Sequence, residues 1–169
     1  MANIDELSGI SNRGGFIMLA NKSLKYSARR YLNSSLVYLD IKKYKAINDN
    51  NGHAEGDKAI IAIADLMTKL FRGSDVFTCI GGDQFAVFLS DTNKEGPESL
   101  IRRFQAELEY YNSTAGNHSE ISFSYCVIEY DRFKHTSIDL LMADGDKLMC
   151  WKKDKTAVGN LNGDSSRSL

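Results

Sequence analysis

The chain reads as an α+β domain in which helices pack on a mixed, mainly antiparallel central sheet. Three observations predict this. Two apolar, β-rich runs, Val76–Ile80 and Phe85–Leu89, are joined by a tight glycine-containing turn and so pair as an antiparallel hairpin. Neither run alternates with polar residues, so their faces are covered on both sides, as near the centre of a sheet. The other β-rich runs are separated by segments with apolar residues at helical spacing, which supply packing layers and allow parallel as well as antiparallel neighbours. The resulting order, α-β-α-β-β-α-β-α, is of the ferredoxin-like or polymerase-palm kind.

Taken in order, residues 5–13 carry turn and cap residues without a period, with Asn12 a candidate helix N-cap. A helix is expected from Phe16 to about Tyr31, with Phe16, Leu19, Ala20, Leu24 and Ala28 on one stripe. Asn33-Ser34-Ser35 breaks it, and Leu36–Leu39 forms a short buried strand ending on Asp40. The stretch from Lys42 to Asn51 is basic and polar, and Asn48-Asp49-Asn50-Asn51-Gly52 reads as a turn. The longest helix opens at Glu55-Gly56-Asp57, buries Ile60, Ile63, Ala64, Met67, Leu70 and Phe71, and closes near Arg72-Gly73.

The hairpin follows, then a loop over residues 91–96. A third helix runs from about Pro97, placed in its first turn, to Tyr111. Residues 121–128 form a strand with partial alternation. The last helix spans about Ser137 to Lys153, and residues 159–169 read as a disordered tail poor in core residues.

The chain's 169 residues suit one domain, expected at residues 1–158. A net charge of -1 and 25% charged residues exclude a strongly basic nucleic-acid or membrane-surface binder. No apolar run reaches the ~20 residues of a spanning helix and no secretory signal opens the chain, so the expected location is the cytoplasm. Cys79, Cys126 and Cys150 each lie in an apolar stretch and read as buried hydrophobes of a reducing compartment.

The candidate chemistry gathers at Ile80-Gly81-Gly82-Asp83-Gln84-Phe85. Glycines at a tight turn let the backbone approach a phosphate, and the Asp can hold a hard cation or simply cap the turn. If the strand ending on Asp40 neighbours the hairpin, Asp40 and Asp83 meet at one edge of the sheet. Paired carboxylates there can bind Mg2+, with water and substrate phosphates completing the coordination shell. His53 reads as part of the turn before the long helix, His118 as a loop residue and Trp151 as a cover for the last helix.

Three spaced blocks carry a family resemblance: Leu39–Asp49, Gly52–Asp57 and Gly81–Phe85, joined by the opening Asp5–Arg13. Over about residues 5 to 155 they resemble the GGDEF-domain family of diguanylate cyclases, with the signature written here as Gly-Gly-Asp-Gln-Phe. The resemblance implies a GGDEF fold that condenses two GTP into cyclic di-GMP across a transient head-to-head homodimer, within a protein that carries a sensory domain. It implies Mg2+, or Mn2+, held by Asp40, the Ile41 carbonyl and Asp83, with Asp83 beside the 3′-hydroxyl that loses its proton. Asn48 and Asp57 would read the guanine edge, because a carboxylate accepts from guanine N1–H and its amino group, which adenine does not match. Lys45 and Lys153 would contact phosphates, Gly81 and Gly82 would admit them, and Arg72 with Asp75 would form an inhibitory product site. An Arg–Asp pair joining a helix end to a strand start is the competing reading of the last two.

The departures are specific. Gln84 replaces a Glu, Lys42 replaces an acidic residue, Cys79 stands where Arg is common, and Thr156-Ala157-Val158 replaces a closing Gly-Arg-Asn. The expectation is an Mg-dependent cyclase of reduced activity. Its alternative is a degenerate domain that binds GTP or cyclic di-GMP as a regulatory module.

Overall fold

A computed structural model describes residues 3–92, 96–116 and 119–157, with side chains as far as Met149. The elements are α1 (Arg13–Arg30), β1 (Ser35–Ile41), α2 (Tyr44–Asn51), α3 (His53–Leu70), β2 (Val76–Gly81), β3 (Gln84–Leu89), α4 (Gly96–Thr114), β4 (Phe123–Glu129) and α5 (Ile138–Ala157). The proposed tail at 159–169, His118, and the side chains of Trp151 and Lys153 lie outside the described residues.

The strands stand in the order β2-β3-β1-β4. The α+β class holds, and all three strand pairings are antiparallel. Among the described residues, the one parallel contact is an isolated bridge between Ser11 and Thr78. β1 is the central strand in register terms, pairing Val37 with Val87 on one side and with Val127 on the other. That explains why all seven of its residues are buried.

Period-two alternation then sorts the strands into two cores. Val37, Leu39, Phe85, Val87 and Phe123 face Ile60, Ile63 and Met67 of α3 and Ile101 and Phe104 of α4. Leu36, Tyr38, Ala86, Phe88 and Cys126 face Phe16, Ala20 and Leu24 of α1 and Leu141 and Met142 of α5. Helices thus cover both faces, as the unalternating strand sequences require.

Four details differ from the sequence reading. The helix expected to be longest, α3 with 18 residues, is shorter than α4 with 19 and α5 with 20. β2 is an edge strand rather than a central one. Its outer edge is occupied by the lead-in segment, where the Ser11 carbonyl accepts from Cys79 N at 3.2 Å and from Thr78 Oγ1 at 2.6 Å. Leu19 is 44% exposed, since the sheet takes Phe16, Ala20, Leu24 and Ser27 and leaves its neighbours on α1 outside. The stretch read as a turn at residues 48–52 is mostly helix: α2 runs through Asn51, and only Gly52, at φ 88°, breaks the chain before α3. Asn and Asp favour turns because their side chains compete with the backbone, but here Ile47 is buried against α3 and tertiary packing overrides that preference.

Asn12 does cap α1, its Oδ1 accepting from Gly15 N at 3.0 Å. α1 ends on Tyr31, whose φ of 55° lies in the left-handed region.

Candidate functional site

The hairpin turn and the end of β1 are joined directly. Ile41 N donates to the Asp83 carbonyl at 3.0 Å, and Asp40 lies opposite Gln84 in the β1–β3 register. The condition on which the carboxylate pair depended, neighbouring strands, is therefore met. Asp40 is 5% exposed, while Asp83 is half-buried at the tip of the turn.

The tip is shaped by backbone conformation. Gly82 has φ 56° and Gly81 φ 150°, and the register shifts between Cys79 and Gly81. Left-handed and extended positive-φ backbone of this kind suits glycine. A Cβ added at either glycine would meet nothing within 4 Å, so the space beside the turn is open. Gly81 and Gly82 hold the turn's shape and leave its backbone accessible.

Asp40, the Ile41 backbone and Asp83 are thus brought to one end of the sheet. Two carboxylates and a carbonyl are hard oxygen donors, a set that fits Mg2+ or Mn2+. Among the described residues no cluster of three or more His, Cys, Asp or Glu side chains could hold a metal. Mg2+ keeps several of its ligands from water or substrate, so it asks for few protein donors.

At the corner between α2 and α3, Asn48 packs against Gly56, the residue before Asp57. Asn48 Oδ1 is buried and makes no hydrogen bond among the described residues. It lies so close to α3 that a Cβ on Gly56 would be 1.9 Å away. Asp57 follows Gly56 and is half-buried, and Lys45 on α2 is exposed. A buried acceptor beside a carboxylate can receive two donors from a planar edge.

Lys42, half-buried just past Asp40, has its pKa lowered by burial and secondarily by Lys43. Its neighbour Lys43 takes a left-handed conformation at φ 54° to turn the chain into α2. Cys79 is buried, and burial pushes its thiol up to about 11, so it behaves as the inert hydrophobe expected.

On the α1/α5 face, Gln84 shares a cavity of about 140 Å³ with Tyr38, Ile80, Asp146 and Met149. Burial, followed by Asp146, raises the Tyr38 pKa, and the Tyr38 hydroxyl also donates to the Met142 carbonyl at 3.2 Å. α5 can lie this near because Gly145 has no side chain; a Cβ there would come 2.7 Å from Tyr38 Cε2. Nothing in the sequence marked Tyr38 or Asp146, which stand 108 positions apart and meet only when α5 docks.

Arg72 and Asp75 form a closed fork at the α3–β2 junction. Asp75 Oδ2 accepts from Arg72 N at 2.9 Å and from Arg72 Nε at 3.4 Å, and Asp75 Oδ1 accepts from a guanidinium nitrogen at 3.1 Å. The same guanidinium donates to the Ser90 carbonyl at 2.6 Å. The Asp75 side chain is 1% exposed and that of Arg72 55% exposed, so the guanidinium's outer face is open to solvent.

Comparison with known proteins identifies the family. Residues 2–157 match the family model described as "Diguanylate cyclase, GGDEF domain". The probable diguanylate cyclase DgcE of Escherichia coli K12 is 32% identical over 111 residues, covering 66% of this chain and 10% of DgcE. The probable diguanylate cyclase DgcC of the same strain is 36% identical over 103 residues, covering 61% of this chain and 28% of DgcC. This chain therefore spans between a tenth and under a third of these relatives.

Among solved structures, the GGDEF domain of DgcB from Caulobacter crescentus, in complex with c-di-GMP, superposes with a TM-score of 0.78. The match has 21% identity and covers 91% of each chain, a likeness of fold. Among the described residues no helix is long and apolar enough to cross a membrane. With its signature turn at Gly81–Phe85 and its family match over residues 2–157, the chain belongs to the GGDEF domain family.

Proposed function

We propose that this domain binds GTP with Mg2+ and condenses two GTP molecules into cyclic di-GMP, at a reduced rate. The observation that supports the reading is the Ile41 N to Asp83 O hydrogen bond, which sets the ends of β1 and β3 side by side. A bound divalent ion there supplies charge for the triphosphate and lowers the cost of ionising a 3′-hydroxyl. In this reading Asp83 accepts that proton. Each 3′-oxygen then bonds to the α-phosphorus of the other GTP as its bond to pyrophosphate breaks, so two pyrophosphates leave.

Asn48 and Asp57 select guanine, since its edge presents two donors to their acceptors. Lys45 and Lys153 steady the phosphates, and Gly81 and Gly82 leave the backbone open beside them. Each domain holds one GTP, so the reaction requires a transient homodimer. Gln84 lies opposite Asp40 without the charge of a Glu, which weakens the hold on a cation and slows turnover. Arg72 and Asp75 are retained as the candidate site for inhibitory product, reached through the open face of the guanidinium. The domain acts in the cytoplasm, joined to a sensory segment that the longer relatives have room for.

Incubating the purified chain with GTP and Mg2+ and separating the products by chromatography tests this. Cyclic di-GMP formed faster than linearly with protein concentration is the expected result. Tight Mg-GTP binding with no product over days would leave a nucleotide-binding module.

A further inference from the structure

At the end of the sheet away from Asp40, the chain builds a second concave surface that the cyclase reading does not use. β1 starts there at Ser35 and runs about 20 Å to the Asp40 end. The wall of this surface is the C-terminus of α1 and the turn between β4 and α5, held to β1 by Tyr130 N donating to the Ser34 carbonyl at 2.9 Å. Together they line an open groove of about 570 Å³, the size of a small-molecule site.

The charges in that turn are unequally spent. Asp131 Oδ1 accepts from Phe133 N at 2.9 Å and Lys134 N at 3.3 Å, and these two bonds hold its carboxyl below the usual range. Asp144 accepts from His135 Nε2 at 2.8 Å and pairs with Lys134 Nζ at 3.0 Å. His135 Nδ1 in turn accepts from Asp131 N at 3.0 Å, so the buried ring is fixed at both nitrogens. Glu129 on the same wall is exposed to solvent.

Arg132 forms no ion pair among the described residues. Its guanidinium instead lies 4.0 Å from the Tyr31 ring centroid and 5.2 Å from that of Phe133. Aromatic faces orient the guanidinium while leaving its N–H edge for an anion.

Two further features point outward. Tyr31 keeps a left-handed φ of 55°, which a bulky residue rarely adopts, yet its ring is 73% exposed and adds little to the core. Phe133 is 85% exposed. The Tyr130 hydroxyl, on the cavity wall, is buried and makes no hydrogen bond among the described residues. Burial pushes its pKa up and Arg132's charge opposes this, so the two groups feel one another.

We propose that this surface is a second ligand site, which takes a phosphate carried on a planar ring, that is, a nucleotide. Arg132 binds the phosphate, and the exposed rings of Tyr31 and Phe133 stack on the base. The site stands independently of cyclase activity.

The test titrates the 15N-labelled full chain with GMP, with inorganic phosphate and with guanosine, in EDTA to remove metal-dependent binding at Asp40 and Asp83. Saturable amide shifts at Tyr31 and at 131–135 with GMP, and weaker shifts of the same amides with phosphate, are expected. Arg132→Gln should weaken GMP there about tenfold or more, the equivalent of one charge-assisted contact. Phe133→Ala should weaken GMP but leave phosphate binding unchanged, because it removes a stacking ring and no charge. Shifts confined to Asn48, Asp57 and Gly81–Asp83 would overturn the proposal, as would binding at parent strength in Arg132→Gln. Equal affinity for phosphate and GMP would overturn the stacking assignment.

Discussion

Asn48 Oδ1 occupies the space that a side chain at Gly56 would need: a Cβ there would lie 1.9 Å from it. The contact ties α2 to the first turns of α3, where Asp57 follows Gly56. Alanine at an exposed helix position normally gains about 1 kcal/mol over glycine. At residue 56 that gain is outweighed by overpacking of about 1–3 kcal/mol, so Gly56→Ala should lower the thermal midpoint. It should also weaken GTP binding by displacing Asn48. Combining it with Asn48→Ala should restore much of the lost stability, and a double-mutant cycle showing no coupling would contradict this packing.

The carboxylate pair predicts metal-linked stabilisation. Mg-GTP at a hundredfold excess over its dissociation constant should add about 2.7 kcal/mol by mass action. Asp40→Asn should abolish the part that depends on Mg2+, as read by thermal unfolding in Mg2+ against EDTA. Equal stabilisation in both buffers would remove the ion from the site.

Base selection should follow Asn48 and Asp57. Calorimetry is expected to show GTP binding far more tightly than ATP, whose edge would leave an acceptor facing an acceptor. Asp57→Ala should weaken GTP and narrow the difference. Similar affinities for the two nucleotides in the parent chain would refute the assignment.

The fork at Arg72 separates structure from regulation. Because Asp75 is buried while the guanidinium is half in water, Arg72→Ala should cost about 1–2 kcal/mol, between an exposed and a buried pair. A product site further predicts loss of cyclic di-GMP binding in the same variant. If stability falls while cyclic di-GMP affinity is kept, the fork is structural only.

Acid should loosen the turn between β4 and α5. Asp144 sits below its ordinary 3.8 chiefly through its hydrogen bonds from His135 and Lys134. A carboxyl with a depressed folded pKa stabilises above its unfolded pKa and loses that contribution as pH falls through the folded value. The effect should therefore appear below about pH 4, and Asp144→Asn should flatten that limb of the stability curve. Hydrogen exchange at Lys134 and His135 is the direct readout.

Local chemistry along the chain was enough to announce the hairpin, the buried run ending on Asp40, the Asn12 cap and the apolar face of α3. Each rests on neighbours within a few positions: a glycine turn between β-branched runs, or apolar residues at helical spacing. The spaced blocks around Asp40, Asn48, Asp57 and Asp83 also made the family legible. Tertiary packing decided the rest. α2 formed through a turn-like Asn-Asp-Asn-Asn run because Ile47 could be buried against α3. β2 became an edge because β1 took β4, not β2, as its second neighbour. Tyr31 met Arg132, and Tyr38 met Asp146, across more than a hundred residues. No periodicity reports such pairs, because the free energy that brings them together belongs to the two buried cores and is shared by the whole sheet.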